Sequence, residues 1–143
     1  MLAQFRKNLV WNITVAVGAI VIGGLSLGLI EWLGSKMYPA ENLDIAGLSA
    51  SEIETKLKMY LQNAPVGALL FVVLAHAVGA VVATVLGCLL GRGTKFPGFI
   101  AGGVLWGLTV LNLFSVPHPV WFMALDMAIV ILAVLVPLSK IRK

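Results

Sequence analysis

Four apolar blocks dominate the sequence, covering residues 9–33, 66–91, 97–116 and 119–139. Each block reaches the roughly 20 residues that a helix needs to cross a hydrocarbon core of about 30 Å. Backbone polar groups in hydrocarbon must be satisfied within the segment, so these blocks are expected to be helices. Only 11% of the 143 residues are charged, against about 25% in soluble proteins. The sequence therefore predicts an all-α fold, a single membrane domain over 1–143.

The connections between the blocks predict an up-and-down bundle of four transmembrane helices. The second and third blocks are separated by GRGTKF, and the third and fourth by a turn at SVPHP. Connections this short make consecutive helices antiparallel neighbours.

Basic residues are distributed unevenly between the two predicted sides. One side carries Arg6, Lys7, Arg92, Lys95, Lys140, Arg142 and Lys143. The opposite side carries Lys36, Lys56 and Lys58, offset by Glu41, Asp44, Glu52 and Glu54. The positive-inside rule then predicts that both termini are cytoplasmic. The net charge of +4 is explained by this asymmetry and by attraction to anionic lipid headgroups, and no basic cluster points to nucleic acid.

The longest connection, residues 34–65, is predicted to hold a short amphipathic helix outside the membrane. Ser49 with Glu52, and Ser51 with Glu54, both have the spacing of a capping box. Apolar residues follow on one helical face: Ile53, Leu57, Tyr60 and Leu61. Such a helix would lie on the membrane surface or cap the bundle. It would serve as a solvated connector or as a receptor for a partner.

Small residues recur every four positions in the second block: Ala75, Gly79, Ala83, Gly87 and Gly91. Such small-xxx-small faces allow helix backbones to approach closely. The second block is therefore predicted to be central, in contact with two neighbours. Further small pairs are Gly24 with Gly28, Gly98 with Gly102, Gly103 with Gly107, and Ala124 with Ala128. These are more than a four-helix bundle needs, which indicates association with itself or with other membrane subunits.

Polar side chains inside the blocks concentrate in the outer half of the predicted bundle. His76 lies about 15 Å and Asp126 about 10 Å from the outer ends of their helices, at about 1.5 Å per residue. Asn112 and Trp106 are the other members of this candidate polar cluster, and Glu31 and His118 lie at the outer boundary. An ionisable group in a membrane is costly and needs a partner.

Three interpretations of the cluster remain open. His76 and Asp126 form structural polar contacts, handle a proton or ion, or bind a metal or cofactor. Trp106 is expected to need a hydrogen-bond partner for its indole, and Asn112 to bond across helices. His118 lies between two prolines, and it either belongs to a rigid turn without a further role or acts as a ligand. Glu31 is expected to have Lys36 as a local counter-charge.

Aromatic residues are predicted to mark the two membrane boundaries. Phe5, Trp11, Phe96 and Phe99 lie near the inner one, and Trp32, Tyr38, Tyr60, Trp121 and Phe122 near the outer one. Trp106 is the exception, midway along the third block.

No sequence motif predicts an enzyme. The chain has no nucleophile elbow, phosphate loop or catalytic Cys–His context, and the single Cys88 cannot form an intrachain disulfide. Two or three candidate ligands are too few for a zinc site, which needs four or an open three. We therefore expect a non-enzymatic protein with no metal and no cofactor.

The segments NLFSVPHPVWF and MYPAENLD, with the small-rich second block ending at Arg92, resemble small four-span bacterial membrane proteins of unassigned function. The shared features are the outer loop and the Asn-Leu…Pro-His-Pro-x-Trp hairpin. The resemblance implies an inner (plasma) membrane location; since these proteins have no assigned function, it adds no catalytic assignment. Small multidrug exporters differ, since they place a glutamate deep in the first span, whereas here the only acid of that span is Glu31. Dual-topology fluoride channels differ because the basic residues fix one orientation.

Three classes of function follow from these features. The leading hypothesis is an accessory or structural subunit that associates with itself or a larger membrane complex. The competing class is a small oligomeric ion or small-molecule transporter that uses His76 and Asp126. A third class is an outer-leaflet metal-, haem- or lipid-binding protein.

Overall fold

A computed structural model describes residues 2–40, 43 and 45–142, and these residues are helical apart from short connections. Five helices follow in chain order: α1 (Leu2–Met37), α2 (Ala50–Asn63), α3 (Val66–Leu90), α4 (Phe96–Ser115) and α5 (Val120–Lys140). All except α2 are long and apolar enough to cross a membrane. This confirms the predicted all-helical organisation with four long apolar helices.

Helix α3 is the centre of the bundle. It forms the three most extensive helix–helix contacts of the described chain, with α1, α4 and α5, whereas α4 has the same number of neighbours but smaller contacts with α1 and α5. The sequence predicted two neighbours for this helix, and the structure gives it three. The reason is that small residues occupy two adjacent stripes of α3, so that more than one helix can approach it closely.

The bundle has two ends, which are named here by their contents. The terminal end comprises residues 2–14, 86–98 and 134–142; the loop end comprises residues 30–40, 64–73 and 112–122. At the terminal end the α3–α4 turn passes through Gly93, whose φ of 67° favours glycine. Lys95 then donates from Nζ to the carbonyl oxygen of Leu138 at 2.6 Å, satisfying one of the last carbonyls of α5.

Helix α1 is longer than the apolar block that predicted it. It has 36 residues, which correspond to about 54 Å at 1.5 Å per residue. The predicted range of 9–33 followed hydropathy alone, whereas the helix continues through polar Gln4, Arg6 and Lys7 and reaches Met37. Glutamine, arginine and lysine are good helix formers, so loss of hydrophobicity does not end the helix there.

Helix α2 begins at the first of the two candidate caps. Ser49 is the N-cap, and its backbone N–H donates to Oε2 of Glu52 at 2.8 Å. No residue of α2 is buried, but Leu61 packs against the loop-end cluster of Leu69, Val73, Leu113 and Phe122.

Candidate functional site

The polar pair of the site is positioned by α3 and α5, which run in the same direction. His76 on α3 faces Asp126 on α5, 50 positions later in the chain. One turn further along, Ala80 and Val130 pack together at the same separation in sequence. The parallel register therefore brings the histidine and the aspartate into one layer of the bundle.

His76 and Asp126 form a direct contact in the interior. Nδ1 of His76 lies 2.7 Å from Oδ2 of Asp126, and the side chains are 4% and 0% exposed. This is the only ion pair formed within the described part of the chain. The second carboxylate oxygen, Oδ1, is buried without a hydrogen-bond partner among those residues, and an unmet buried acceptor is costly.

Trp106 lies in the next layer rather than against the pair. Its side chain packs against the cluster of Ala80, Val130 and Val134. The predicted indole partner is missing from the described residues, because Nε1 is buried with no acceptor. The residues of α3 and α5 that Trp106 contacts are apolar. The position of Trp106 along α4 did not indicate these neighbours.

A third polar group follows on the same stripe of α3. Thr84 is fully buried, and its Oγ1 has no hydrogen-bond partner within the described chain. The Thr84 hydroxyl lies so close to Gly102 on α4 that a side chain at Gly102 would overlap it. Sequence reasoning placed Thr84 on the His76 stripe but did not single it out.

Asn112 does not join the pair. It is half-buried at the edge of the α4 face that buries Thr109 and Leu113. Its backbone oxygen accepts from Val116 at 3.1 Å, and its side chain makes no hydrogen bond to another described residue. The expected interhelical bond therefore does not form within the described part of this single chain.

His118 lies at the loop end, near the pair. Its Nδ1 donates to the Val116 carbonyl at 2.9 Å, and its ring stacks on Phe122 with centroids 4.9 Å apart. Burial lowers the pKa of His118, while hydrogen bonds to backbone carbonyls and the charge of Asp126 oppose that shift. Phe122 lies one helical turn before Asp126 on α5, so the stacking places His118 one layer from the pair.

Phe122 lies at the loop end but points into the bundle. It is fully buried in the cluster with Leu69, Val73 and Leu113. The adjacent Trp121 is exposed, so the two neighbouring aromatics point to opposite sides of α5.

Glu31 and Lys36 do not form the predicted local pair. The Lys36 ammonium lies 5.9 Å from the ring centroid of Trp32, and Glu31 is exposed without a salt bridge to a described residue. Glu31 instead lines a cavity of about 240 Å³ at the loop end, together with Tyr38 and Tyr60.

The five small residues predicted for helix packing, Ala75, Gly79, Ala83, Gly87 and Gly91, are all buried. A Cβ at Gly79 would lie 3.0 Å from the Gly23 carbonyl oxygen on α1, and one at Gly87 would lie 2.5 Å from Cα of Gly98 on α4. Sequence inspection missed Gly23, because it stands outside the Gly24–Gly28 pair.

Other glycines point away from the bundle. Gly24 and Gly28 on α1, and Gly103 and Gly107 on α4, have open space where a Cβ would stand. Ala124 and Ala128 on α5 are also exposed. These faces of small residues are not covered by another helix of the described chain.

No three histidine, cysteine, aspartate or glutamate side chains come together as a metal site among the residues described. Comparison of the chain with protein-family models, curated proteins and solved structures finds no match.

Proposed function

We propose that the protein is a non-enzymatic structural or accessory subunit of a membrane, which associates with itself or with a larger membrane complex. The observation that carries this proposal is the set of outward-facing glycines on α1 and α4. Glycine in a helix interior is destabilising relative to alanine by about 0.5–1 kcal/mol. Outward glycines spaced four residues apart form a smooth face on which another helix can pack closely, and such packing would offset this cost.

Helix α1 offers the more extended of these faces. Gly24 and Gly28 share a flank with Val17 and Val21, which are 56% and 54% exposed. The opposite side of the helix is already occupied, since Gly23 meets α3. A second helix can therefore dock on the Gly24–Gly28 flank without rearrangement of the bundle.

Disulfide cross-linking in native membranes tests this proposal. In a Cys88→Ser background, Gly24→Cys and Gly28→Cys are compared with Leu29→Cys, an exposed position on the other flank of α1. We expect oxidation to yield discrete cross-linked species at positions 24 and 28 but not at 29. Equal cross-linking at all three positions, or none at any, would contradict self-association through this face.

The membrane orientation belongs to the same proposal. Both termini are placed in the cytoplasm and α2 on the outer surface of the inner membrane, as the distribution of basic residues favours. In the Cys88→Ser background, Ser51→Cys in intact cells should react with a membrane-impermeant maleimide, while Ser139→Cys should react only after permeabilisation. The reverse pattern would invert the topology.

A second candidate function, a small oligomeric transporter, is favoured by the contact between His76 and Asp126. A histidine changes charge near neutral pH, and a carboxylate at 2.7 Å can exchange a proton with it. The unpartnered Oδ1 of Asp126 would accept a hydrogen bond from a transported ion's water or from a small polar substrate.

Flux in liposomes tests the transporter candidate. Asp126→Asn should abolish pH-dependent flux, whereas Glu31→Gln, which removes an exposed acid with the same change in charge, should retain it. Wild-type liposomes that pass neither protons nor common ions would eliminate ion transport by this pair.

A further inference from the structure

The terminal end carries a cavity surrounded by positive charge. It has a volume of about 430 Å³ and is lined by Arg6, Lys7, Val10, Trp11, Thr14 and Arg92. Three of these six residues are cationic. No aspartate or glutamate occurs in residues 1–30, 77–125 or 127–143, so no acid from these segments neutralises the cations.

One of the three cations is held in place by the fold. The Arg92 guanidinium lies 4.2 Å from the ring centroid of Trp11. The indole is fixed in turn, because Trp11 Nε1 donates to the Leu90 carbonyl at 2.9 Å. The Arg92 backbone N–H donates to Oδ1 of Asn12 at 2.8 Å, which ties the start of the α3–α4 turn to α1.

This arrangement suits a phosphate group. An arginine stacked on an aromatic face keeps the N–H groups at its edge available, and their fork matches two phosphate oxygens. Arg6 and Lys7 lie on the adjacent turn of α1 and bring two further charges to the same cavity. Ordering of Arg92 before binding lowers the entropic cost of capture.

The surroundings of the cavity favour a lipid over a free ion. Val10 is 64% exposed and Ile13, on the next turn of α1, is 56% exposed. An acyl chain attached to the bound phosphate would cover these apolar side chains. The cavity also lies where the polar start of α1 meets its apolar segment, which is the level of a lipid headgroup.

We propose that this cavity is a binding site for the phosphate headgroup of an anionic phospholipid, with Arg92 as the principal ligand and Arg6 and Lys7 as supporting cations. The site is separate from the His76–Asp126 pair and does not depend on the association of subunits.

Native mass spectrometry with defined lipids tests the site. The protein is exchanged into detergent micelles containing phosphatidylglycerol or phosphatidylcholine, and the retained lipid is counted against lipid concentration. Arg92→Gln is compared with Arg142→Gln, which removes an exposed arginine from the same end but outside the cavity. Both variants change the net charge equally. Because Arg92 is exposed, its replacement should leave the fold intact, and Lys7→Gln provides a second variant.

We expect the wild type to retain phosphatidylglycerol in preference to phosphatidylcholine. Arg92→Gln should weaken that retention by about fivefold or more, the scale of one basic residue at an anionic surface. Lys7→Gln should weaken it in the same direction, and Arg142→Gln by less than about twofold. Equal losses for Arg92→Gln and Arg142→Gln would overturn the site in favour of general surface charge. A competition arm adds inorganic phosphate, and displacement of the lipid at millimolar concentrations would assign the site to the free ion instead.

Discussion

His76 and Asp126 are a buried acid and base in contact, and each makes the burial of the other tolerable. Removing charges from water carries a desolvation penalty of several kcal/mol per ion, which only a close partner offsets. The two groups lie 2.7 Å apart, with exposures of 4% and 0%, so each is the polar partner of the other. The unpartnered Oδ1 of Asp126 remains the weak point of the arrangement.

Replacement of one member of the pair should destabilise the bundle more than replacement of both. We expect Asp126→Leu to lower the free energy of unfolding by about 3 kcal/mol, since it leaves His76 buried without its carboxylate. The double variant His76→Phe, Asp126→Leu should recover most of that loss. Thermal unfolding in detergent measures both variants. A single-variant loss of about 0.6 kcal/mol, the average for interhelical hydrogen bonds in a membrane, would show that no charge is involved.

The sequence indicated that these two residues could meet but not that they do. Counting from the helix starts placed them at different depths. The contact forms because α3 extends about one turn beyond the start of α5 at the loop end. Trp106 and Asn112 could not be assigned in the same way, because the rotation of α4 about its axis depends on which glycines face α3.

At the scale of elements, glycines that look alike in the sequence differ in what they contact. Gly98 meets Cys88 of α3 so closely that any side chain would overlap it, and a Cβ at Gly87 would lie 2.5 Å from Cα of Gly98. Gly103, five positions along α4, faces open space. The repeats were visible in the sequence, whereas their division between inward and outward faces required the packed helices.

Alanine at these positions should therefore give opposite results. We expect Gly87→Ala or Gly98→Ala to cost about 1–3 kcal/mol, the range for overpacking a filled interior. Gly103→Ala should be neutral or slightly stabilising within one protomer, because alanine is the better helix former. Unfolding in detergent distinguishes the three variants. A loss for Gly103→Ala as large as that for Gly87→Ala would contradict the assigned packing.

The start of α2 should respond to pH through Glu52. Hydrogen bonds from Ser49 lower the pKa of Glu52 below its ordinary value of 4.5. A lowered pKa in the folded state means that the carboxylate stabilises the cap above pH 4.5, and that this contribution is lost as pH falls through the lowered pKa. Amide protection in residues 50–53, corrected for intrinsic exchange, should decrease over that interval. Glu52→Ala should remove the pH dependence, while the matched Glu54→Ala should keep it.

At the scale of the whole molecule, the four long helices do not cover one another equally. In the apolar segments of α1 and α5, 22% of the residues are buried, against 44% in that of α3. Hydrophobicity predicted four helices because length and composition suffice for that. Hydrophobicity alone does not distinguish the central helix, because lipid and protein neighbours are equally apolar, and the small residues of α3 were the signal for its central position. The uncovered side of α1 is the part of the molecule on which the proposed association depends.

Native mass spectrometry of protein released gently from its own membrane tests that association most directly. We predict an assembly of several copies, or a larger complex that contains this chain, and its loss when Gly24 and Gly28 are both replaced by leucine. In the same experiment, the matched variant Gly103→Leu tests whether the outward face of α4 also takes part in the assembly. An isolated wild-type monomer, under conditions that preserve other membrane assemblies from the same preparation, would contradict the account.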